Sequence, residues 1–427
     1  MQHRIAADRL GPGGERMAAA VQACVHCGFC LAACPTYAVL GQEMDSPRGR
    51  IYLMKGILEG ELSADGAAAQ HLDRCLGCFA CVTACPSGVR YDELVTLFRQ
   101  HVEPRRNDRS PGRRALRRGL MAILAHPGRF RAAARAGSLA RRVRRLVPQG
   151  ARELLDLLPD RLPPADHLDG VFPAEGRRRA RVALLAGCVG QVLSPSINRA
   201  CIRVLNKSGV EVVVPRGQGC CGALAMHVGL GDEARRLARR NLAVFLRDSF
   251  DAVLTTAAGC GSAMKEYPLL FAGLGDEGRA RELSAKVRDV SEFLDQLGIP
   301  APGPLPRRLR VAYHDACHLA HAQGIRLAPR RLLSQIPNVE LVEIPDGDTC
   351  CGSAGTYNLE HPGVARTLQE RKVEAILSTG AEVVAAGNIG CLVQMRAGLA
   401  RRASPVSVLH TMELLDLAYR APSIGWP

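Results

Sequence analysis

Cys24-Val-His-Cys27-Gly-Phe-Cys30-Leu-Ala-Ala-Cys34-Pro35 recurs 51 residues later as Cys75-Leu-Gly-Cys78-Phe-Ala-Cys81-Val-Thr-Ala-Cys85-Pro86. Both stretches read C-x2-C-x2-C-x3-C-P, the bacterial spacing for cubane iron–sulfur clusters. Three thiolates at i, i+3 and i+6 along a tight loop can face three irons of one 4Fe–4S cube. The proline turns the fourth cysteine of each run away, and in two-cluster ferredoxins that cysteine serves the other cluster. The spacing therefore assigns one cluster to Cys24, Cys27, Cys30 and Cys85, and the other to Cys75, Cys78, Cys81 and Cys34. Structural zinc uses paired C-x2-C units and leaves the third cysteine of each run unexplained.

Outward from these runs, 427 residues are enough for two or three cores. Met1 to Arg16 is polar and charged, with no apolar h-region, and no run of 18 apolar residues occurs. Seventeen cysteines without an export signal point to a reducing cytoplasm and metal ligation instead of disulfides. The net charge is +15, but Pro104 to Pro148 holds 14 Arg, no Lys and one acidic residue, Asp108. That segment alone supplies +13, so the basicity is local. It reads as short helices broken at Pro111, Pro127 and Pro148, with Leu116, Leu120, Ile123 and Leu124 opposite Arg113, Arg117 and Arg118. Two readings stand: a linker packed on its own protein, or a basic amphipathic surface for anionic lipid or an acidic partner. Phe130 is its only aromatic residue, which argues against nucleic acid.

Between the runs, Ser46-Pro-Arg-Gly-Arg50 opens a helix over Ile51 to Glu61, and Tyr91 to Val102 has helical spacing with Leu94, Leu97 and Phe98 on one face. From Arg181 apolar strands alternate with helices, twice over. The first copy runs through Cys188, a helix over about Pro195 to Ser208, strand Val210 to Pro215, Cys220-Cys221-Gly222, a helix over Asp232 to Arg247, strand Ala252 to Ala257, and Cys260. The second runs through Cys317, strand Val339 to Ile344, Cys350-Cys351-Gly352, strand Glu382 to Ala386, and Cys391. The halves close alike, Val290-Ser-Glu-Phe-Leu beside Val408-Leu-His-Thr-Met. The fold expected is α+β. A helical, ferredoxin-like domain with two 4Fe–4S clusters (1–103) and an arginine-rich helical linker (104–178) precede two small parallel-sheet α/β domains (179–302 and 303–427).

Cysteines at strand ends lie on the usual ligand-binding edge of such sheets. Cys188, Cys220, Cys221 and Cys260 should share one pocket, and Cys317, Cys350, Cys351 and Cys391 another, each for a further iron–sulfur cluster or zinc. The glycine after each Cys-Cys pair permits the turn that lets both sulfurs face one site. The two pockets should face each other across a pseudo-twofold relation. Cys201 remains as a buried thiol inside a helix. His314, His318 and His321 surround Cys317; they read as ordinary hydrogen-bonded histidines, with His318 or His314 tuning or replacing a ligand as the alternative. Gly273-Leu-Gly-Asp-Glu-Gly278 matches the dinucleotide fingerprint without the strand that should precede it, as does the degenerate Gly229-Leu-Gly-Asp-Glu-Ala234.

Taken together, these residues resemble the iron–sulfur subunit of glycolate oxidase over nearly the whole chain. The resemblance rests on Ala23-Cys-Val-His-Cys-Gly-Phe-Cys30, Ser46-Pro-Arg-Gly-Arg-Ile-Tyr52, His71-Leu-Asp-Arg-Cys75 and Cys85-Pro-Ser-Gly-Val-Arg-Tyr91. It continues through Gly219-Cys-Cys-Gly-Ala223, Gly259-Cys-Gly261, Cys350-Cys-Gly-Ser-Ala-Gly-Thr-Tyr357 and Ala386-Gly-Asn-Ile-Gly-Cys391. It implies a hetero-oligomeric complex, peripheral on the inner face of the cytoplasmic membrane, in which flavin-binding subunits oxidise glycolate to glyoxylate. This chain would pass the electrons towards a quinone, holding neither substrate nor flavin itself. Equivalent subunits of lactate and glycerol-3-phosphate dehydrogenase complexes are similar. So are heterodisulfide reductases, whose repeats end in C-x-x-C. Here position 263 is Ala and position 394 is Gln, a departure that counts against disulfide chemistry.

Overall fold

Ser46 starts the helix that organises the N-terminal domain. Its hydroxyl accepts a hydrogen bond from the Gly49 amide at 3.1 Å, and Pro47 fills the first turn, where no N–H is needed. The helix runs Pro47–Leu58. Gly49 is required by close approach, because a Cβ there would stand 2.1 Å from the Glu43 carbonyl oxygen. Helix Tyr91–Val102 has the boundaries its spacing predicts and buries Leu94, Leu97 and Phe98 with Met17, Val21 and Met54 in one core. The computed structural model describes residues 3–147, 149–166 and 168–420.

The two α/β halves follow as the alternating pattern predicts. The first has strands β1 (Gly170–Phe172), β2 (Ala180–Leu184), β3 (Val210–Val214), β4 (Ala252–Thr255) and β5 (Val287–Asp289), in the order β1-β3-β2-β4-β5. The second has β6 (Leu309–Tyr313), β7 (Val339–Glu343), β8 (Val383–Ala386) and β9 (Ser407–His410), in the order β7-β6-β8-β9. All pairings are parallel except β1 with β3. Thus the segment expected to be a purely helical linker contributes an edge strand before residue 179. The closing segments also align three residues away from the sequence expectation. Val287 pairs with Val253 and Val408 with Val384, so the partner of Val408-Leu-His-Thr-Met begins at Val287, not Val290. Apolar residues recur at both offsets, and only the ladder fixes which one pairs.

One core holds the halves together, joining Val182, Leu184 and Leu205 of the first to Leu309, Tyr313 and Leu415 of the second. Arg203 crosses to Asp416 with two bonds of 2.7 and 2.6 Å. Cys201 lies fully buried in this core within helix Ser196–Lys207, where burial pushes its thiol up. Neither glycine fingerprint follows a strand: one lies between helices Ala223–His227 and Gly231–Phe245, the other between Tyr267–Leu270 and Glu277–Lys286.

In the basic segment, prolines open helices Pro111–Leu124 and Pro127–Ala140, and a third helix spans Gln149–Asp156. Pro148 lies outside the described residues, as does the side chain of Arg113. Its polarity differs from the expected amphipathic face. Leu116 is 63% exposed, while Arg117 is largely buried between Glu103 at 2.8 Å and Glu360 at 2.9 Å. Arg106 and Arg109 both reach Asp73, at 2.8 and 3.1 Å. Leu120, Ile123, Leu124 and Phe130 pack on the first α/β half and on Ile389 and Val393 of the second. Much of the segment is therefore a packed roof, and part of its charge is spent on internal ion pairs.

Candidate iron–sulfur centres

Each N-terminal run bends at the same two places. His26 and Gly77 occupy left-handed backbone with φ of 55° and 61°, and Gly28 and Phe79 with φ of 90° and 64°. Each run thus keeps one non-glycine residue in a conformation that costs about 1 kcal/mol. Cys24, Cys27, Cys30 and Cys85 border one space. Cys34, Cys75 and Cys78 border a second, and Cys81 lies on the wall between, touching both. Cys27 is exposed and Cys24, Cys30 and Cys85 are half-buried, whereas all four thiols of the other set are buried.

Burial of four thiols calls for compensating charge, and the structure supplies it through residues whose role the sequence did not disclose. Arg48 donates to the His26 carbonyl at 3.2 Å and pairs with Glu43. Arg50 is fully buried, donating to Thr36 Oγ1 at 3.0 Å and to the His71 carbonyl at 2.8 Å, with Asp45 at 3.5 Å and Cys34 Sγ at 3.9 Å. Asp45 is itself held by His71 and Arg74 at 3.0 and 3.1 Å. Although burial opposes charge on Cys75, the Arg50 and Arg99 guanidiniums and the Tyr91 hydroxyl at 3.5 Å hold its thiol below the usual range. Cys78 and Cys81 have no such cation and burial pushes both well up. As metal ligands these thiols would be deprotonated outright, so a cation-lined site suits them. The donor set and its cations fit a resident iron–sulfur group. The two arginines of Ser46-Pro-Arg-Gly-Arg50 thus divide between the two cysteine loops, where the sequence showed only a helix start.

The Cys-Cys-Gly motifs are superposable in their turns. Gly222 and Gly352 both have φ of 86°, and each donates its amide to the first sulfur of the pair, Cys220 or Cys350, at 3.5 Å. Cys188 Sγ lies 3.4 Å from Cys220 Sγ. Thiol contacts continue from Cys220 to Cys221 and from Cys221 to Cys260. The second half repeats the series from Cys317 through Cys350 and Cys351 to Cys391. Hydrogen bonds from neighbouring thiols hold Cys220, Cys317 and Cys351 well below the usual range. Each group of four is brought together as the spacing predicts. They do not occupy separate pockets, however: all eight border one cavity of about 270 Å³. Its walls include Leu124, Phe130 and Leu158 from the basic segment and Ile389 and Val393 from the second half.

The buried N-terminal set adjoins this cavity. Leu76 and Cys78 pack with Cys317, Cys350 and Tyr357 in one cluster, and Tyr357 donates to the Arg74 carbonyl at 3.0 Å. The Phe79 ring meets His318 at 5.3 Å, and His318 meets His227 at 5.1 Å. His318 Nδ1 is 3.5 Å from Cys317 Sγ, and His321 bonds Thr83 at 3.0 Å and the Asp348 carbonyl at 3.2 Å. These two histidines are hydrogen-bonded as expected; buried His314 has only the Cys351 and Cys391 thiols beside its ring. Glu266 lies beneath the stack, taking bonds from Thr96 at 3.4 Å and Ser262 at 3.1 Å. Burial pushes its carboxyl up to about 7.

Residues 20–89 match the 4Fe-4S dicluster domain, and residues 182–265 and 311–396 each match the cysteine-rich domain that carries the Cys-Cys-Gly motif. The chain is 36% identical over 409 residues to the glycolate oxidase iron-sulfur subunit of Escherichia coli, covering 93% of this chain and 94% of that one. It is 34% identical over 411 residues to the probable glycolate oxidase iron-sulfur subunit of Bacillus subtilis, covering 92% of each. Lactate utilization protein A of Oceanobacillus iheyensis is 30% identical over 55% of this chain and 96% of its own length. Two 4Fe–4S clusters in the N-terminal domain follow from the dicluster match together with the convergent thiols, and the cysteine-rich matches cover both of the other thiol sets. The chain is an iron–sulfur oxidoreductase component that belongs to the family of glycolate oxidase iron–sulfur subunits.

Proposed function

We propose that this chain is the electron-transfer subunit of a flavin-dependent glycolate-oxidising complex, taking electrons from flavin-binding partner subunits and delivering them to a quinone. Cys24, Cys27, Cys30 and Cys85 would hold one cluster, and Cys34, Cys75, Cys78 and Cys81 the other. Cys188, Cys220, Cys221 and Cys260, with Cys317, Cys350, Cys351 and Cys391, would hold the group or groups at the cavity. A bound 4Fe–4S cluster takes up and gives back single electrons over a potential that its surroundings set.

The observation that carries this reading is the order of the four cysteine groups in space. The set with exposed Cys27 meets the buried N-terminal set at Cys81, that set packs on Cys317 and Cys350 of the second Cys-Cys-Gly set, and the second set shares its cavity with the first. Val25 and Phe29, each 68% exposed beside Cys27, support a protein partner docking at the outer end. The apolar walls of the cavity support a ring-shaped apolar acceptor at the inner end. No helix of the described residues is long and apolar enough to cross a membrane. Attachment to the cytoplasmic face would be peripheral, through a partner or through exposed arginines such as Arg114 and Arg118.

The test is reconstitution. The chain alone should oxidise no glycolate. Combined with its flavin-binding partners it should reduce a short-chain quinone, at a rate that depends on its own concentration. A flavoprotein that reduces quinone equally well without this chain, or a cluster-loaded chain that reduces a disulfide instead, defeats the proposal.

A further inference from the structure

The two Cys-Cys-Gly halves are equivalent in backbone and unequal in one ligand-forming position. Leu185 and His314 each follow the central strand of their sheet and stand three residues before the first cysteine. Their amides make the same bond, Leu185 to the Leu254 carbonyl and His314 to the Ala385 carbonyl, both at 2.9 Å. The first half therefore has an aliphatic side chain where the second has an imidazole. His314 is 0% exposed, and beyond a contact with the Cys351 thiol its ring nitrogens have no hydrogen-bond partner. An imidazole carries two polar nitrogens and burial disfavours leaving either unsatisfied, so the ring calls for a partner beyond one thiol. One of its nitrogens, Cys351 Sγ and Cys391 Sγ all lie within 4.8 Å of one another. Ligands on a single tetrahedral metal atom stand about 3.5–3.8 Å apart, given bonds of about 2.0–2.3 Å, so small rotations bring all three onto one atom.

We propose that His314 is a ligand, through an imidazole nitrogen, of a thiophilic transition metal held by Cys351 and Cys391. It makes the second Cys-Cys-Gly centre a mixed Cys/His site beside an all-cysteine first centre. The inference rests on the reading that the second set binds metal, and it adds a ligand that the cysteine pattern does not contain. A second difference between the halves accompanies it. Lys372 is buried near Cys350, Cys351 and Cys391, its ammonium bonded to the Asp346 and Gly347 carbonyls at 2.8 and 3.1 Å. Its counterpart Asn241 bonds the Cys220 carbonyl at 3.1 Å. A nearby cation lowers the negative charge at the centre and raises its reduction potential, and the added imidazole brings no charge of its own.

The experiment uses the full chain purified anaerobically with its metals, with and without 15N-labelled histidine. If the metal is iron, pulsed electron paramagnetic resonance should show a directly bound imidazole nitrogen that changes on labelling. If it is zinc, the X-ray absorption at the zinc edge should contain one imidazole shell beside sulfur. Either signal should vanish in His314→Leu, a side chain the first half accommodates at this position. His314→Cys should retain metal and, for iron, shift the midpoint potential downward. Metal content separates the two levels of inference. Metal present at the second set without any imidazole signal overturns His314 ligation alone. No metal there overturns both.

Discussion

The two N-terminal cysteine runs share one spacing and differ in almost everything around it. The set containing Cys27 opens to solvent beside exposed Val25 and Phe29, with Arg48 forming a partly exposed pair with Glu43. The set containing Cys78 is sealed beneath Phe79, Leu76 and Tyr91, with Arg50 wholly buried against it. The spacing determines what can be ligated; the surroundings determine where electrons can enter and how tightly the site is built. The outer set suits exchange with another protein. The inner one suits handing on to the Cys-Cys-Gly cavity, since little of it is exposed to water or partners.

The sharpest way to break this contrast is through the two arginines. Arg50→Leu leaves Asp45 buried with one cation fewer, and removing one partner of a buried pair costs about 3–5 kcal/mol. Arg48→Leu removes a partly exposed pair worth about 0–1 kcal/mol. Thermal unfolding of the two cluster-loaded variants should show a large fall for the first and almost none for the second. Equal falls would mean that the inner set is no more tightly built than the outer.

A chelator sharpens the comparison next. Under anaerobic conditions iron should leave in two phases, the first removing the signal that Cys27→Ser also removes, because exposure governs access to the ligands. Simultaneous loss would merge the two environments into one cooperative unit.

The smallest expected effect concerns Glu266, half-buried behind the inner set. Its folded carboxyl titrates at about 7 against an ordinary 4.5. The protonated form is therefore favoured by folding. Its stabilising contribution is complete below about pH 4.5 and is lost as pH rises through about 7, on the order of 1.4 kcal/mol per pH unit within that window. Glu266→Gln, which keeps hydrogen-bonding capacity for Thr96 and Ser262, should abolish that slope in denaturant titrations between pH 5 and about pH 7. A variant with the wild-type slope would place the pH dependence elsewhere.

The central strands, the duplication and the convergence of each group of four cysteines were legible in the sequence, whereas edge strand β1 and the register of β5 were not. Alternating apolar runs mark buried parallel strands, and glycine after a Cys-Cys pair marks one left-handed turn, here Gly222 and Gly352. These are local rules, satisfied within a few residues. Three things only the tertiary structure decided. The basic segment read as a possible surface, yet Arg106, Arg109 and Arg117 find carboxylates from Asp73, Glu103 and Glu360, partners that sequence distance conceals. The two repeats share a cavity because their cores are joined, a consequence of packing that neither repeat encodes alone. His314 and His318 look alike four residues apart, but one bonds Cys317 and the other is left facing Cys351 and Cys391. Ligand type is a property of the residue; which atoms meet at a site is decided by the strands that carry them, because only the assembled sheets set the distances.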